Sequence, residues 1–312
     1  MSLERALALA DAARGRAYPN PTVGAVVVRD GEVVGEGATE EYGARHGEVV
    51  ALDAAGERAR GATLYLTMEP CTHHGTTPPC VDRVLAAGVA RVVAGSLDPN
   101  PEAAGGLKRL RDAGVEVELR DSPASRRQNE AWRTWVTLGR PFVTYKAAVT
   151  LDGRVTVPGS RWVTGEASRR LVHELRAGSD AVAVGMGTAR ADAPRLDARD
   201  VPATRQPRRL AFGRGPLPEG SELELVTEPL DHALARLGSE GVQSLLLEGG
   251  PTLAGAFLRA DLVDKLLLFV APTLAGDGPG ILDALPRPLA LEGLTSTQVG
   301  DDVLLEAYLH LP

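Results

Sequence analysis

The sequence predicts a two-domain α/β protein. Along its 312 residues, short apolar runs typical of buried strands alternate with segments whose apolar residues recur at helical spacing. A chain of this length has room for about two domains, and residues 121–125, with their serines and proline, are the best linker candidate. We therefore expect a first domain at 1–121, a linker and connecting helix at 122–140, and a second domain at 141–312.

The first domain is predicted to be a mixed sheet with helices on its faces. Its first two strands form a β-hairpin, because the apolar runs Val23 to Val28 and Val33 to Gly35 flank the turn pair Asp30-Gly31. Prolines directly before Cys80 are typical of the start of a helix. The other predicted elements are helices at 47–55 and 107–112 and strands at 63–68, 91–96 and 115–117.

The second domain has its own series of predicted elements. A helix at 127–138, with Trp132 and Trp135 on one face, leads into it. The predicted strands lie at 142–149, 181–185, 209–212, 244–247, 265–270 and 303–309, and the predicted helices lie at 165–176 and 252–259. No internal repeat relates the two halves, so we expect each half to have its own core.

Composition narrows the class of protein. A net charge of −7 and an aromatic content of 4% argue against a nucleic-acid partner. No stretch has the roughly 18 uninterrupted apolar residues of a membrane span, and the amphipathic start with its early Glu4 does not resemble a signal peptide. Both cysteines fall in the motif described next, which leaves none for a structural disulfide. We therefore expect a cytoplasmic protein.

The most specific motif is His46-Gly47-Glu48 followed by Pro70-Cys71 and Cys80. One imidazole and two thiolates can hold a catalytic zinc whose fourth position stays open for water, and a glutamate beside them can move protons. His46 and Cys80 stand at predicted helix starts, where the helix dipole favours thiolates. The motif therefore predicts zinc-dependent hydrolysis of an amine, with Glu48 as the proton shuttle.

Two alternatives remain open for this motif. The cysteines could be ordinary buried apolar residues, with His46 a surface side chain. The zinc could instead be structural and closed, with His73 or His74 as the fourth ligand. Glu48 would have no role in that arrangement.

Three features of the second half suggest chemistry. The strand-to-helix junction at Glu248 to Gly255 has glycines and a helix N-terminus that could meet a phosphate, although a tight turn with Thr252 as the N-cap explains it equally well. Gly185 to Asp192 also follows a buried strand. Lys146 interrupts an apolar strand, where an unpaired lysine would be costly. No G-x-G-x-x-G pattern follows a strand, so a dinucleotide would not bind in the usual Rossmann manner.

Motifs across nearly the whole chain resemble, in order, those of the bifunctional riboflavin-biosynthesis deaminase/reductases. The Cys-x8-Cys spacing is distinctive, since zinc deaminases acting on cytidine or transfer RNA usually separate these cysteines by two residues. The deaminase-like motifs are Pro19 to Gly24, His46-Gly47-Glu48, Glu69 to Cys80 and Asp98 to Pro101. The reductase-like motifs are Lys146, Leu151 to Arg154, Ser160 to Thr164, Arg176-Ala177, Gly187-Thr188 and Glu248 to Gly255.

The resemblance implies a cytidine-deaminase-like first domain and a dihydrofolate-reductase-like second domain. Members of the family first hydrolyse the 2-amino group of a diaminopyrimidinone ribosylamine 5′-phosphate. They then reduce the ribosyl group to ribityl with NADPH. Zn²⁺ and NADPH are therefore the implied cofactors, the implied partner is a phosphorylated pyrimidine, and we expect a homo-oligomer.

Site residues are carried over by position. Zinc would be bound by His46, Cys71 and Cys80, and Glu48 would be the proton shuttle. The substrate-binding residues would be Asn20, Asp98 and Asn100 in the first half and Lys146, Ser160, Arg176, Leu196, Arg199 and Glu248 in the second. NADPH would be bound by Ala148, Trp162, Thr188, Asp192, Gly250, Pro251, Thr252, Leu253, Ala254 and Gly255. Arg176 and Arg199 could clamp the phosphate, or could be ordinary solvated charges.

Several positions depart from the family pattern. Thr39 replaces a common histidine and Thr76 replaces a lysine or arginine, which puts the deaminase substrate in doubt without affecting the zinc chemistry. Gly47 replaces the usual alanine, a mild change expected to loosen a helix start. Ala193 replaces an aspartate. Gly213-Arg214 replaces an Asp-Ser pair, and Arg214 could favour a 2′-phosphate or be a surface loop residue.

Other functions fit the same motifs. A divergent enzyme of this architecture could act on another amino-heterocycle, which the changes at Thr39 and Thr76 would allow. A non-catalytic ligand-binding relative would be expected to lose Glu48 or a zinc ligand, and none is lost here. A nucleic-acid deaminase is a weaker option, because the chain is acidic and carries a second domain.

Overall fold

The computed structural model describes residues 2–203 and 205–312. The chain divides into a first compact unit that ends at Leu138 and a second that runs from Gly139 to Leu311. Within the described ranges, every helix is too short or too polar to cross a membrane.

The first unit is built on a five-stranded mixed sheet of order β2-β1-β3-β4-β5. Its strands are β1 (Gly24–Arg29), β2 (Glu32–Ala38), β3 (Thr63–Leu66), β4 (Arg91–Ala94) and β5 (Glu116–Leu119). Its helices are α1 (Ser2–Ala12), α2 (Gly47–Ala55), α3 (Cys80–Ala87), α4 (Gly106–Asp112), α5 (Pro123–Gln128) and α6 (Glu130–Leu138), with a 3₁₀ turn at Gly56–Ala59. β1 is antiparallel to both β2 and β3, whereas β3, β4 and β5 are parallel.

Turn chemistry and buried apolar residues explain this sheet. The β1–β2 hairpin is confirmed, and both turn residues, Asp30 and Gly31, have positive φ angles of 51° and 83°, as tight hairpin turns require. Ala25, Leu64 and Leu66 are fully buried in the core of the unit. Because β3 and β4 are parallel, the loops that follow them leave the same edge of the sheet, where open sheets build their sites.

The prediction of a single helix at 127–138 is wrong. The chain forms two helices, α5 and α6, interrupted at Asn129, and residues 123–125 of the linker candidate belong to α5. The Asn129 side chain accepts a hydrogen bond from the Thr22 amide and donates one to the Thr22 carbonyl, both at 2.9 Å. This pairing holds Asn129 at the break, and Ser122 caps the opposite, N-terminal end of α5.

The second unit is built on an eight-stranded sheet of order β12-β13-β11-β6-β10-β7-β8-β9. The strands are β6 (Phe142–Thr150), β7 (Ala181–Gly185), β8 (Arg208–Phe212), β9 (Glu224–Val226), β10 (Ser244–Leu247), β11 (Lys265–Ala271), β12 (Glu292–Val299) and β13 (Asp302–Tyr308). The helices are α7 (Glu166–Ala177), α8 (Met186–Asp192), α9 (Leu230–Ser239) and α10 (Pro251–Arg259). The strands from β11 to β9 in this order are parallel, and β13 and β12 extend the sheet in antiparallel fashion.

Every strand predicted in the second unit is present, but four elements were not predicted. These are α8, α9, β9 and β12. β9 has only three residues, and β12 is an edge strand whose residues are almost all exposed. Neither has the apolar alternation that marks a half-buried strand. The core lies between the parallel strands and helices α9 and α10, where Leu234, Leu245 and Phe257 are buried.

Candidate active sites

In the first unit, His46, Cys71 and Cys80 come together at one edge of the sheet. His46 directly precedes α2, Cys71 lies in the loop after β3, and Cys80 is the first residue of α3. The Nδ1 atom of His46 lies 3.1 Å from the Sγ atom of Cys80 and 3.8 Å from that of Cys71. The three potential ligand atoms all lie within 4.8 Å of one another.

This donor set fits a zinc ion. Zinc bonds of about 2.3 Å to sulfur and about 2.0 Å to nitrogen, in tetrahedral geometry, separate the ligand atoms by roughly 3.5 Å. The distances from His46 Nδ1 to the two sulfurs, 3.1 and 3.8 Å, lie close to this value. Among the described residues, neither His73 nor His74 belongs to it. The arrangement therefore favours three protein ligands over the closed four-ligand alternative.

Glu48 lies in the first turn of α2 and is only 2% exposed. Its Oε2 atom has no hydrogen-bond partner within the described part of the chain. Burial raises the pKa of this carboxyl to about 7, although the nearby His46 opposes the shift. A carboxyl with a pKa near neutrality and an unpartnered oxygen can both accept and release a proton.

The protein surroundings also favour a thiolate. Hydrogen bonding from Cys80 lowers the pKa of the Cys71 thiol to about 4, against the effect of burial. The Cys80 amide, at the N-terminus of α3, donates to the Cys71 sulfur at 3.4 Å. Metal ligation requires thiolate rather than thiol, so the environment favours Cys71 as a ligand, whereas its hydrogen bond with Cys71 raises the pKa of the Cys80 thiol.

Val23 supports the helix start that carries His46 and Glu48. A Cβ atom at Gly47 would lie 2.2 Å from the Val23 carbonyl oxygen, so the start of α2 packs directly on the backbone of Val23, the residue before β1. The Val23 amide donates to the Thr39 hydroxyl at 2.8 Å. The expectation that glycine at position 47 is a mild change is therefore wrong for this chain: a side chain would meet backbone there.

A cavity of about 470 Å³ opens beside these residues. Asn20, Asp98 and Asn100, predicted to bind substrate, all line it, as do Thr39 and Thr76. Sequence reasoning did not place aromatic side chains there, yet Trp132 and Trp135 of α6 and also Tyr42 contribute to the wall. Among the described residues that line this cavity there is no lysine or arginine.

Glu69 is a buried acid whose role the sequence did not reveal. Its carboxylate accepts hydrogen bonds from the Asp98 amide at 3.0 Å and the Leu107 amide at 3.1 Å. Asp98 in turn accepts from the Asn100 amide at 2.8 Å, and burial raises the Asp98 pKa to about 6 against the effect of that bond. Glu69 therefore holds the loop that carries Asp98 and Asn100. The one sequence feature that could have indicated this role is the position of Glu69 directly before Pro70-Cys71.

In the second unit, Lys146, Arg176 and Glu248 form a buried network. Arg176 donates twice to Glu248, at 2.6 and 3.0 Å, and Lys146 donates at 3.1 Å. Burial alone would raise the pKa of the Glu248 carboxyl, but the charges of Lys146 and Arg176 outweigh it and hold the pKa at about 2. The partner required by Lys146 is therefore Glu248. Two guanidinium nitrogens of Arg176 already donate to Glu248, so they are not available to bind a phosphate.

Two adjoining cavities surround this network, with volumes of about 790 and 590 Å³. The larger is lined by ten of the predicted site residues: Lys146, Ala148, Trp162, Arg176, Thr188, Asp192, Arg199, Glu248, Gly250 and Pro251. Leu196 lines the smaller cavity. Ser160 and residues 252–255 line neither of them. The Ser160 hydroxyl is engaged with the backbone of Trp162, and Ala254 is buried in the core.

The junction between β10 and α10 fits a phosphate-bearing cofactor through its backbone. Gly250 is the N-cap of α10, so the alternative of Thr252 as the N-cap is wrong. A Cβ atom at Gly249 would lie 2.9 Å from the Leu253 side chain, and one at Gly250 would lie 3.6 Å from the Thr188 hydroxyl. A side chain at position 249 would therefore crowd Leu253, whereas the contact at position 250 is an ordinary one. The first amides of a helix have no intrahelical partner and attract anions.

Trp162 lines both cavities and is half exposed. The guanidinium groups of Arg161 and Arg169 lie 4.9 and 5.1 Å from the centre of its indole ring. These cation–π contacts hold the ring in place. Arg214 lines neither cavity, which favours the surface-loop interpretation.

Family models match both units. The model of the RibD C-terminal domain matches residues 141–305. The model of the cytidine and deoxycytidylate deaminase zinc-binding region matches residues 2–96.

Known proteins are similar over nearly the whole chain. The riboflavin biosynthesis protein RibD of Aquifex aeolicus is 38% identical over 97% of this chain and 96% of its own. The structure of Acinetobacter baumannii RibD is 34% identical, with a TM-score of 0.86 over 98% of this chain and 97% of that one. The Thermotoga maritima structure, a diaminohydroxyphosphoribosylaminopyrimidine deaminase/5-amino-6-(5-phosphoribosylamino)uracil reductase, is 32% identical, with a TM-score of 0.84 and the same coverage.

Proposed function

This chain belongs to the RibD family of bifunctional riboflavin-biosynthesis deaminase/reductases, and on that premise we propose which residues carry each activity. It is an enzyme with a zinc-dependent deaminase unit and an NADPH-dependent reductase unit. The deaminase substrate is 2,5-diamino-6-ribosylamino-4(3H)-pyrimidinone 5′-phosphate, whose 2-amino group is hydrolysed. The reductase then converts the ribosyl group of the product to ribityl.

In the deaminase unit, zinc would be held by Nδ1 of His46 and the sulfurs of Cys71 and Cys80. When bound, the metal supplies Lewis-acid activation of water at neutral pH. Glu48 takes the proton from the attacking water on its Oε2 atom and passes it to the amine that leaves as ammonia. The observation that carries this assignment is the buried Oε2 atom, which has no partner among the described residues and lies in the same helical turn as the His46 ligand.

Recognition of the pyrimidine and ribose belongs to the polar wall of the first cavity. Asn20 and Asn100 each offer both donor and acceptor groups, and Asp98 is held in place through Glu69. With its raised pKa, Asp98 can present either an acceptor or a donor near neutral pH. These three side chains can therefore match the edge of a diaminopyrimidinone.

In the reductase unit, the substrate would contact Lys146, Ser160, Arg176, Leu196, Arg199 and Glu248. The cofactor would contact Ala148, Trp162, Thr188, Asp192 and residues 250–255, the last partly through backbone amides. NADPH supplies a hydride when bound. Lys146, which is paired with Glu248 and has further donors, can hold the proton needed by the ribose oxygen as the sugar carbon is reduced.

We further propose a cytoplasmic homo-oligomer that acts on a phosphorylated pyrimidine and binds neither nucleic acid nor membranes. The acidic net charge and the use of both cysteines in the metal cluster support this proposal. We place the deaminase domain at 1–121 and the reductase domain at 141–312. Helices α5 and α6 lie in the segment between these bounds, and both are part of the first compact unit.

The function is tested by incubating the purified zinc-loaded chain with the diaminopyrimidinone phosphate, with and without NADPH, and identifying products by mass spectrometry. Without NADPH, we expect a product that is deaminated but not reduced. With NADPH, the deaminated product should also gain two hydrogens. Reduction of the substrate before deamination, or no turnover at all, would contradict the proposal.

A second candidate is a related deaminase/reductase that acts on another amino-heterocycle. It is favoured by Thr39 and Thr76 and by a first cavity whose described lining has no lysine or arginine. Substrate profiling would decide between the two. Faster deamination of an unphosphorylated heterocycle than of the diaminopyrimidinone phosphate would favour the second candidate. A non-catalytic relative is disfavoured, since Glu48 and all three zinc ligands are present and together.

A further inference from the structure

The loop that follows α8 has several residues with positive φ angles, and the surrounding residues hold it in this conformation. Ala193, Leu196 and Asp200 all have positive φ angles, at 39°, 52° and 59°, which non-glycine residues rarely adopt. Leu196 is nevertheless 2% exposed and belongs to an apolar cluster. The surrounding structure therefore holds this loop in a defined conformation.

Hydrogen bonds from neighbouring elements fasten the loop at its centre. The Gln206 side chain accepts from the Ala198 amide at 2.9 Å and donates to the Ala198 carbonyl at 2.8 Å. The Asp197 carbonyl lies 3.1 Å from Nδ1 of His173 and 3.3 Å from a guanidinium nitrogen of Arg176. Position 197 is thus fixed relative to the Arg176–Glu248 network.

The Asp197 carboxylate lies between two arginines. One oxygen accepts a hydrogen bond from Arg199 at 2.6 Å, and the other forms an ion pair with Arg195, also at 2.6 Å. The Asp197 side chain is 12% exposed, whereas those of Arg199 and Arg195 are 41% and 72% exposed. A largely buried anchor therefore orients two accessible cations.

Both arginines line the 590 Å³ cavity beside Glu248. A guanidinium has five N–H donors; Arg199 donates one of them to Asp197, and Arg195 contacts the same carboxylate as an ion pair. Arg176 lines the same cavity, but its fork is occupied by Glu248. Arg161 also lines this cavity, with its guanidinium group over the Trp162 ring, so Arg195 and Arg199 are the two lining arginines that one carboxylate, that of Asp197, holds together.

We propose that Asp197 is a positioning residue that aligns Arg195 and Arg199 to bind the phosphate monoester of the reductase substrate, with Arg195 a further substrate-binding residue. This inference rests on the proposed reductase function. Arginine forks match phosphate oxygens in geometry and charge. Ordering two long side chains before the substrate arrives reduces the entropy lost on binding.

The test compares full-length Arg195→Ala and Asp197→Asn with wild type in steady-state NADPH oxidation. Arg190→Ala is the matched control, since it removes a nearby positive charge that lines neither cavity. Each variant is assayed with the deaminated substrate and with the same compound lacking its phosphate. We expect both site variants to raise KM for the phosphorylated compound about tenfold, equivalent to about 1.4 kcal/mol, with kcat within twofold and no change for the unphosphorylated compound.

A purely structural role for Asp197 would alter the kinetics of both compounds equally or of neither, which would overturn the inference. A lower KM for the phosphorylated compound in Asp197→Asn would also overturn it, because the carboxylate would then be competing with phosphate. Arg195→Ala is the second, independent variant. The Arg195 side chain is exposed, so we expect this variant to fold like wild type.

Calorimetric titration with ribose 5-phosphate, and with inorganic phosphate, separates this inference from the proposed function. We expect wild type and Arg190→Ala to bind ribose 5-phosphate more tightly than either site variant. Equal binding by Arg195→Ala would refute the inference even if wild type reduces the substrate. Weaker binding by both variants, with no reduction by wild type, would support the anion site while refuting the proposed function.

Discussion

The Nδ1 atom of His46 lies 3.1 Å from the Sγ atom of Cys80, although the two residues are 34 positions apart in the chain. Each stands at the N-terminal end of a helix, α2 and α3 respectively. The positive end of each helix dipole therefore faces the cluster and favours its anionic ligands. Cys71 completes the set from the loop after β3.

Glu48→Gln is expected to lower the deaminase kcat by roughly 10²- to 10⁴-fold, because a glutamine cannot accept or release the proton. Zinc content should stay at the wild-type level, since Glu48 is not one of the three ligands. Reduction of the deaminated substrate, measured separately by NADPH oxidation, should not change. Deamination within tenfold of wild type would rule out the proton-shuttle role.

Gly47→Ala is expected to lower the thermal midpoint and weaken zinc binding. The added methyl group would lie 2.2 Å from the Val23 carbonyl oxygen, so α2 must move and carry His46 with it. Helix propensity alone predicts the opposite sign, a gain of about 1 kcal/mol.

Gly187→Ala is the matched control for this clash. Gly187 also lies in a helix, but a Cβ atom there would have no neighbour within 4 Å. We expect it to be neutral or slightly stabilising in the same melting experiment. If Gly47→Ala behaves like Gly187→Ala, the close packing of α2 against Val23 is not a constraint.

Thr39→Val is expected to destabilise the first unit by about 1–3 kcal/mol. The substitution preserves shape but leaves the buried Val23 amide without its hydroxyl acceptor. Thr137→Val is the control, because the exposed Thr137 hydroxyl only donates within its own helix. Urea unfolding measures both. An equal effect of the two substitutions would show that the Thr39 hydrogen bond contributes nothing specific.

Glu248→Gln should destabilise the second unit in a pH-dependent manner. The pKa of Glu248 is lowered from its ordinary value of 4.5 to about 2 in the folded protein, so its ionisation stabilises the fold fully above pH 4.5. This contribution, on the order of 3 kcal/mol, is lost as the pH falls toward 2.

Urea unfolding of wild type and Glu248→Gln across this pH range measures the difference. The gap should be constant above pH 5 and should close toward pH 2, where wild-type Glu248 becomes protonated. Glu222→Gln is the control, because that carboxylate is 74% exposed and its ion pair is expected to contribute little. A gap that is independent of pH would contradict the charge network.

Local signals in the sequence were sufficient for most of the fold. Asp30-Gly31 specified the hairpin, and β10 has the bounds predicted for it, residues 244–247. The break at Asn129 could not be foreseen, because it depends on Thr22, which is distant in sequence. β12 was missed because an exposed edge strand carries no apolar periodicity.

The sites show the same division between local and long-range information. The metal site could be recognised from the sequence, because the types and spacing of His46, Glu48 and the two cysteines are typical of a catalytic zinc site. The pairing of Glu248 with both Lys146 and Arg176 could not, since three separate elements must first be assembled. Side-chain orientation also lay beyond the sequence, as the burial of Ala254 in the core demonstrates.

The most direct test of the account is zinc X-ray absorption spectroscopy of the metal-loaded chain, combined with elemental analysis of wild type and Cys80→Ser. We predict one zinc per wild-type chain, coordinated by two sulfurs, one imidazole nitrogen and one further light atom from solvent, with much weaker retention in Cys80→Ser. Two imidazole nitrogens with two sulfurs, or stoichiometric zinc in Cys80→Ser, would contradict an open catalytic site at His46, Cys71 and Cys80.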